Sequence, residues 1–204
     1  MMAKAKGVGA VVGLTVGLTA ALGAAPAAGA AEAGQGPRVA QGDGWLAKSG
    51  RFAPPTALIP SDAVTYDQKL VPAGAEIGVV ERAAGERTAV LLAVRGLKAD
   101  REYGAHIHTK PCGADGDAAG PHYQDKADPV TPSVDPAYAN DENEAWLDFK
   151  TDGSGRGWSF VKQDWRVRKG EARSVVLHSE HTHTGHGDAG TAGDRLACFT
   201  VPFA

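Results

Sequence analysis

Tyr103-Gly104-Ala105-His106-Ile107-His108 reads as one short β-strand. Residues two apart on a strand share a face, so His106 and His108 project together while Ala105 and Ile107 face the other way. Two adjacent imidazoles make a bidentate platform for a transition metal, since imidazole suits copper, zinc, iron and nickel. An exposed strand pair has the same pattern, so the rest of the chain has to decide.

Outward from this stretch, similar runs recur at intervals near ten residues, broken by Gly, Pro, Asp and Asn. They cover residues 64–66, 76–81, 88–94, 145–150, 157–162, 173–178 and 196–203. With 103–108 they make eight short strands, and no segment after residue 30 shows convincing helical periodicity. The expectation is an all-β sandwich or barrel. Two long connections interrupt the spacing. Residues 109–144 contain Pro111, Pro121, Pro129, Pro132 and Pro136, and residues 179–194 are rich in Gly, His and Thr. Long loops inside a compact domain usually carry function.

The 204-residue chain begins with Lys4 and Lys6, an uncharged apolar run over 7–23, and Ala28-Gly29-Ala30. That order is expected of a cleaved secretory signal over 1–30, too Gly-rich and short for a bilayer helix. Residues 31–60, rich in Ala, Gly and Pro, read as a linker or arm, and 61–204 as the folded domain. Export implies a secreted or cell-envelope location, with no membrane span in the mature chain. Loss of Lys4 and Lys6, with no acid, takes the formal charge from -3 to -5. No basic stripe is present, which argues against nucleic acid. Cys112 and Cys198 are the two cysteines. In an oxidising compartment an even count suggests one disulfide, with two buried thiols as the other reading.

All seven histidines lie after residue 105: His106, His108, His122, His178, His181, His183 and His186. His122 sits in Gly120-Pro121-His122-Tyr123, and His178 ends Ser174-Val175-Val176-Leu177 where a strand meets the second loop. His181, His183 and His186 with Asp188 form an H-x-H-x-x-H-x-D tract, dense enough to suggest an accessory metal site for copper capture or a relocated zinc.

Together these pieces resemble the Cu,Zn superoxide dismutase family. Gly96-Leu97-Lys98 and Tyr103 to His108 resemble the strand that supplies two copper ligands. Cys112 follows at the spacing of bacterial members. Gly120 to Tyr123 resembles the segment of the metal-bridging imidazole, Ser174 to His178 the strand of the fourth copper ligand, and Gly193-Asp194-Arg195-Leu196-Ala197-Cys198 the segment with the anion-guiding arginine and second cysteine. The resemblance spans roughly residues 63–204. It implies an eight-stranded Greek-key β-barrel, copper held by His106, His108, His122 and His178, a Cys112–Cys198 bridge, and Arg195 and His122 in catalytic roles on superoxide. It leaves room for a homodimer.

One departure is clear. Zinc-binding members need two further histidines and an Asp after the bridging imidazole, yet no histidine lies between Tyr123 and Leu177. The remaining carboxylates match zinc's nitrogen and sulfur preference poorly. The chain therefore resembles a copper-only branch. Glu144 or Glu142, from Asn140-Asp141-Glu142-Asn143-Glu144, is expected to accept a hydrogen bond from His122 in place of zinc. The expected activity is dismutation of superoxide to dioxygen and hydrogen peroxide. The alternative is a copper-sequestering protein on the same fold, with little turnover.

Overall fold

The computed structural model describes residues 42–203. The expected signal (1–30) and the first part of the expected arm, through residue 41, lie outside the described residues. Residues 42–203 fall within one compact unit. They form nine strands: β1 (Gly44–Arg51), β2 (Ala63–Thr65), β3 (Glu76–Ala84), β4 (Arg87–Arg95), β5 (Glu102–His108), β6 (Phe149–Lys150), β7 (Gly157–Gln163), β8 (Ser174–His178) and β9 (Arg195–Thr200). A single 3-10 turn, Gly116–Ala119, is the one helical element among the described residues.

The strands make two antiparallel sheets, ordered β1-β3-β4-β7 and β2-β9-β8-β5-β6. The chain leaves the first sheet after β4, returns for β7 and crosses again to β8, which is the Greek-key pattern of a β-sandwich. Inward positions obey the strand period of two. Ile77 and Val79 on β3 and Val90, Leu92 and Val94 on β4 meet Tyr103, Ala105 and Ile107 of β5 and Val175 and Leu177 of β8 in one core.

Eight of the nine strands match the expected runs. The 145–150 run shortens to Phe149–Lys150, with only an isolated bridge from Trp146 to His106 before it. The added strand is β1. Gly44–Arg51, expected to belong to a loose arm, pairs along its whole length with β3. Its glycines gave it the look of a linker, and one of them is needed for packing. A Cβ on Gly50 would lie 2.8 Å from a ring carbon of Phe199, so only glycine lets the strand lie against that core aromatic.

Cys112 and Cys198 form a disulfide across 86 residues of sequence. It ties the first long loop to β9. In the chain-entropy model, closing a loop of this size stabilises the fold by roughly 4 kcal/mol. The tie is reinforced by Cys112 N–H donating to Thr200 Oγ1 (3.1 Å) and by Ser174 Oγ donating to the Lys110 carbonyl (2.7 Å).

Candidate metal centre

β5 carries core residues on one face and Gly104, His106 and His108 on the other, yet all six residues from Tyr103 to His108 are buried. The second face is covered by the two long loops. At Gly104 a Cβ would meet the Glu180 carbonyl at 2.5 Å and Ala192 Cβ at 2.7 Å, so the missing side chain lets the second loop lie directly on the strand. Gly104 also faces His178 across the β5–β8 ladder.

The first loop delivers His122 by extending this sheet locally. Tyr123 N–H donates to the Ile107 carbonyl (2.8 Å), Thr109 N–H donates to the Pro121 carbonyl (3.1 Å), and His108 and His122 form an isolated antiparallel bridge. A β-bulge between Leu177 and His178 shifts the β8–β9 register, so His178 pairs with Arg195. Bulges re-aim side chains where a strand meets a site.

The result is that ligand atoms of His106, His108, His122 and His178 lie within 4.8 Å of one another. Each ring is held through one nitrogen, leaving the other for the centre. His108 Nδ1 donates to the Gly120 carbonyl (2.9 Å), and His178 Nδ1 points at the Gly193 carbonyl (3.5 Å). A carbonyl can only accept, so the two Nε2 atoms, 3.4 Å apart, face each other as lone pairs. His106 reverses the arrangement. Its Nε2 meets Thr182 Oγ1 (2.7 Å), whose hydroxyl donates to Asp148 Oδ1 (2.8 Å), and its Nδ1 is buried without a partner. His122 Nδ1 lies 2.8 Å from Glu144 Oε2.

Burial, and then the neighbouring rings, hold His106 and His108 well below the ordinary imidazole range, and burial brings His178 to about 3. These three rings are therefore neutral at pH 7. Converging neutral lone pairs with no proton to share, one of them orphaned, fit a bound cation of the copper or zinc class.

Glu144 is itself buried and saturated. Its Oε2 also accepts from Trp146 Nε1 (2.8 Å), and its Oε1 accepts from Gln124 Nε2 (2.8 Å). The other expected candidate, Glu142, is exposed, and it is its backbone carbonyl that accepts Trp165 Nε1 (2.7 Å). Arg195 lines the same open cleft of about 600 Å³ as His122 and His178. Its Nη1 donates to the Gly116 carbonyl (2.9 Å), and half-burial lowers its pKa without removing its charge at neutral pH.

The second loop does not assemble the expected accessory site. His181, His183, His186 and Asp188 form no common ligand group among the described residues. The loop's arms pair with each other, Glu180 N–H to Ala192 O and His183 N–H to Thr191 O, both 2.8 Å. In that extended segment His181 and His183 point to solvent and Thr182 points inward. His183 lies between Glu180 Oε2 (3.0 Å) and Asp188 Oδ2 (3.2 Å), which raise its pKa in that order, and His181 sits 3.3 Å from Asp148 Oδ2.

Asp148 and Thr182 escaped the sequence reading. Asp148 joins three elements: Ala105 N–H (3.0 Å) donates to Oδ1, Thr182 N–H (2.8 Å) donates to Oδ2, and the Thr182 hydroxyl links it to His106. The available signal was an acid inside the apolar run Trp146-Leu147-Asp148-Phe149.

A search of curated protein sequences finds no match. Among solved structures, Cu/Zn superoxide dismutase from Brucella abortus is similar in fold, with a TM-score of 0.51 at 18% identity, over 77% of this chain and 99% of that one. The family model for copper/zinc superoxide dismutase (SODC) matches residues 75–201, which hold all four converging histidines, both cysteines and Arg195. More than half of the chain is covered by that match, and the chain belongs to the copper/zinc superoxide dismutase family.

Proposed function

We propose that the chain is an exported, copper-dependent superoxide dismutase that works without zinc, and that residues 61–204, joined by β1, form its catalytic domain. The observation that carries this reading is the convergence of four imidazoles with a carboxylate behind His122. Copper, when bound, supplies the one-electron chemistry by which two superoxide anions and two protons become dioxygen and hydrogen peroxide.

His106, His108, His122 and His178 are the residues that would hold copper. Their outer nitrogens are fixed by Thr182, the Gly120 carbonyl, Glu144 and the Gly193 carbonyl, which sets both ring orientation and tautomer. Glu144 backs the ring nitrogen of His122 that the family resemblance would assign to a second metal. It keeps a proton on His122 Nδ1 and leaves Nε2 directed inward. The single lone pair of His122 Nε2 serves in turn: when it is not holding copper it takes a proton from solvent and passes it to the departing peroxide. Arg195 supplies fixed positive charge at the cleft that His122 and His178 also line. In a chain of formal charge -3, that local field draws the anionic substrate to one spot.

The test is superoxide removal by the copper-loaded protein, measured with its metal content, beside His122→Ala. Fast turnover with one copper per chain and no zinc, largely lost in the variant, supports the reading. Negligible turnover in the fully loaded protein would leave copper sequestration as the function.

A further inference from the structure

A solvent-facing antiparallel sheet normally turns polar residues outward. The outer face of the four-stranded sheet breaks this rule. Ladder register lines up Ala47, Val80, Leu91 and Phe160 in a row across β1, β3, β4 and β7. Trp158 stands beside that row on one side and Trp45 on the other, each one step along its own strand's outward positions. Trp45 is 72% exposed, Trp158 69%, Phe160 48% and Leu91 39%. These are four of the seven large apolar side chains that stand exposed among the described residues, so exposed apolar surface is concentrated on this face.

Basic groups outnumber acidic ones on the face: Arg51, Arg82, Arg87, Arg95 and Lys162 stand at outward positions, with Arg87 paired to Asp164 (3.0 Å) at the edge. The Arg82 guanidinium stands 5.2 Å from the centroid of Trp45, and Lys162 Nζ stands 5.6 Å from that of Phe160. At the far end Arg51 and Arg95 share Glu76, the one acid at an outward position of these four strands. A cationic face on a chain of formal charge -3 is charge segregated against the overall balance.

We propose that this face docks on the surface of an anionic lipid bilayer. A bilayer interface satisfies both halves of the pattern. Trp side chains sit at headgroup level, Leu91 and Phe160 enter the acyl boundary, and Arg82 and Lys162 meet anionic headgroups. A second copy would oppose the same basic residues across an isologous contact. A hydrated polyanion would match the charges and gain nothing from Val80, Leu91 and Phe160. Because the metal centre lies on the other sheet, a docked molecule keeps its cleft facing solution.

The test is co-sedimentation with vesicles containing phosphatidylglycerol, against vesicles of phosphatidylcholine alone. Wild type and variants are compared in the same exported form, without the expected signal over residues 1–30. The wild type is expected to bind the anionic vesicles about tenfold more tightly than the neutral ones, and less so in high salt. Trp158→Ser with Phe160→Ser, and separately Arg82→Glu with Lys162→Glu, should each cost about tenfold in that binding. Melting temperature and superoxide turnover should stay at wild-type values, and failure of the dismutase reading would leave the vesicle result untouched. Equal binding to both vesicle types, or indifference to both variant pairs, overturns the proposal. So does self-association abolished by the same substitutions, which would assign the face to a second copy. Dextran sulfate binding that needs Arg82 and Lys162 but not the aromatics would assign it to a soluble polyanion.

Discussion

Glu144 Oε2 lies 2.8 Å from His122 Nδ1, and that carboxylate is buried with Trp146 and Gln124 also donating to it. The contact fixes the tautomer of the one candidate ligand that comes from a loop segment. Glu144→Ala should weaken copper retention about tenfold to a hundredfold, the usual effect of removing such a partner, and lower turnover with it. Competition with a chelator measures the first. Added zinc should not restore the variant, because no other histidine stands behind His122.

His106 is held by a different device, the Thr182 hydroxyl backed by Asp148. Thr182→Val removes the acceptor and lets the ring choose the other tautomer. Copper affinity should fall about tenfold or more, and the visible spectrum of bound Cu(II) should change. Thr182→Ser should restore both, since it keeps the hydroxyl. A spectrum unmoved by Thr182→Val would show that the threonine only packs.

Arg195→Ala should leave copper content and melting temperature near wild type while reducing kcat/KM for superoxide about tenfold, within the range attributed to focused charge. The dependence of rate on ionic strength should flatten at the same time. Stopped-flow decay of superoxide at several salt concentrations reads both effects.

The metal-free protein should be sensitive to acid. Above pH 6.5, His178 is neutral in both the folded and unfolded chain and adds no pH dependence. As pH falls, the unfolded chain takes up a proton that the buried ring refuses down to about pH 3, so folding stability is lost across that window. The slope approaches about 1.4 kcal/mol per pH unit for each such ring. His106 and His108 are depressed in the same direction and deepen the loss. Urea midpoints of the metal-free protein between pH 7 and pH 4 should fall steadily. Copper should shift the decline to lower pH, because protons must displace the metal first.

Much of the fold, and the His106–His108 pair, could be read from the sequence for identifiable physical reasons, whereas His122, His178 and Arg195 were reached through the family resemblance. Alternation in runs such as 88–94 reports a half-buried strand directly, and the two-residue spacing of His106 and His108 reports a shared face. β1 was hidden because Gly44, Lys48, Ser49 and Gly50 look like a linker when the strand they pair with and the Phe199 ring they accommodate are unknown. Glu142 and Glu144 share the parity of a strand, but only Glu144 is in an extended segment, bridged to Gln124, while Glu142 lies in the preceding turn. The tract at His181, His183 and His186 suggested a metal site by density alone. Pairing between the loop's arms turns its histidines outward and its threonine inward, and no local pattern reveals such long-range pairing.

The most direct test of the central claim is electron paramagnetic resonance of the protein loaded with one equivalent of Cu(II). The account predicts one tetragonal signal with superhyperfine splitting from four nitrogens, reduced to three in His122→Ala and unaffected by substitution of His181, His183 and His186 together. A signal with fewer nitrogens, or one lost on substituting that outer tract while the inner four histidines remain, would contradict it.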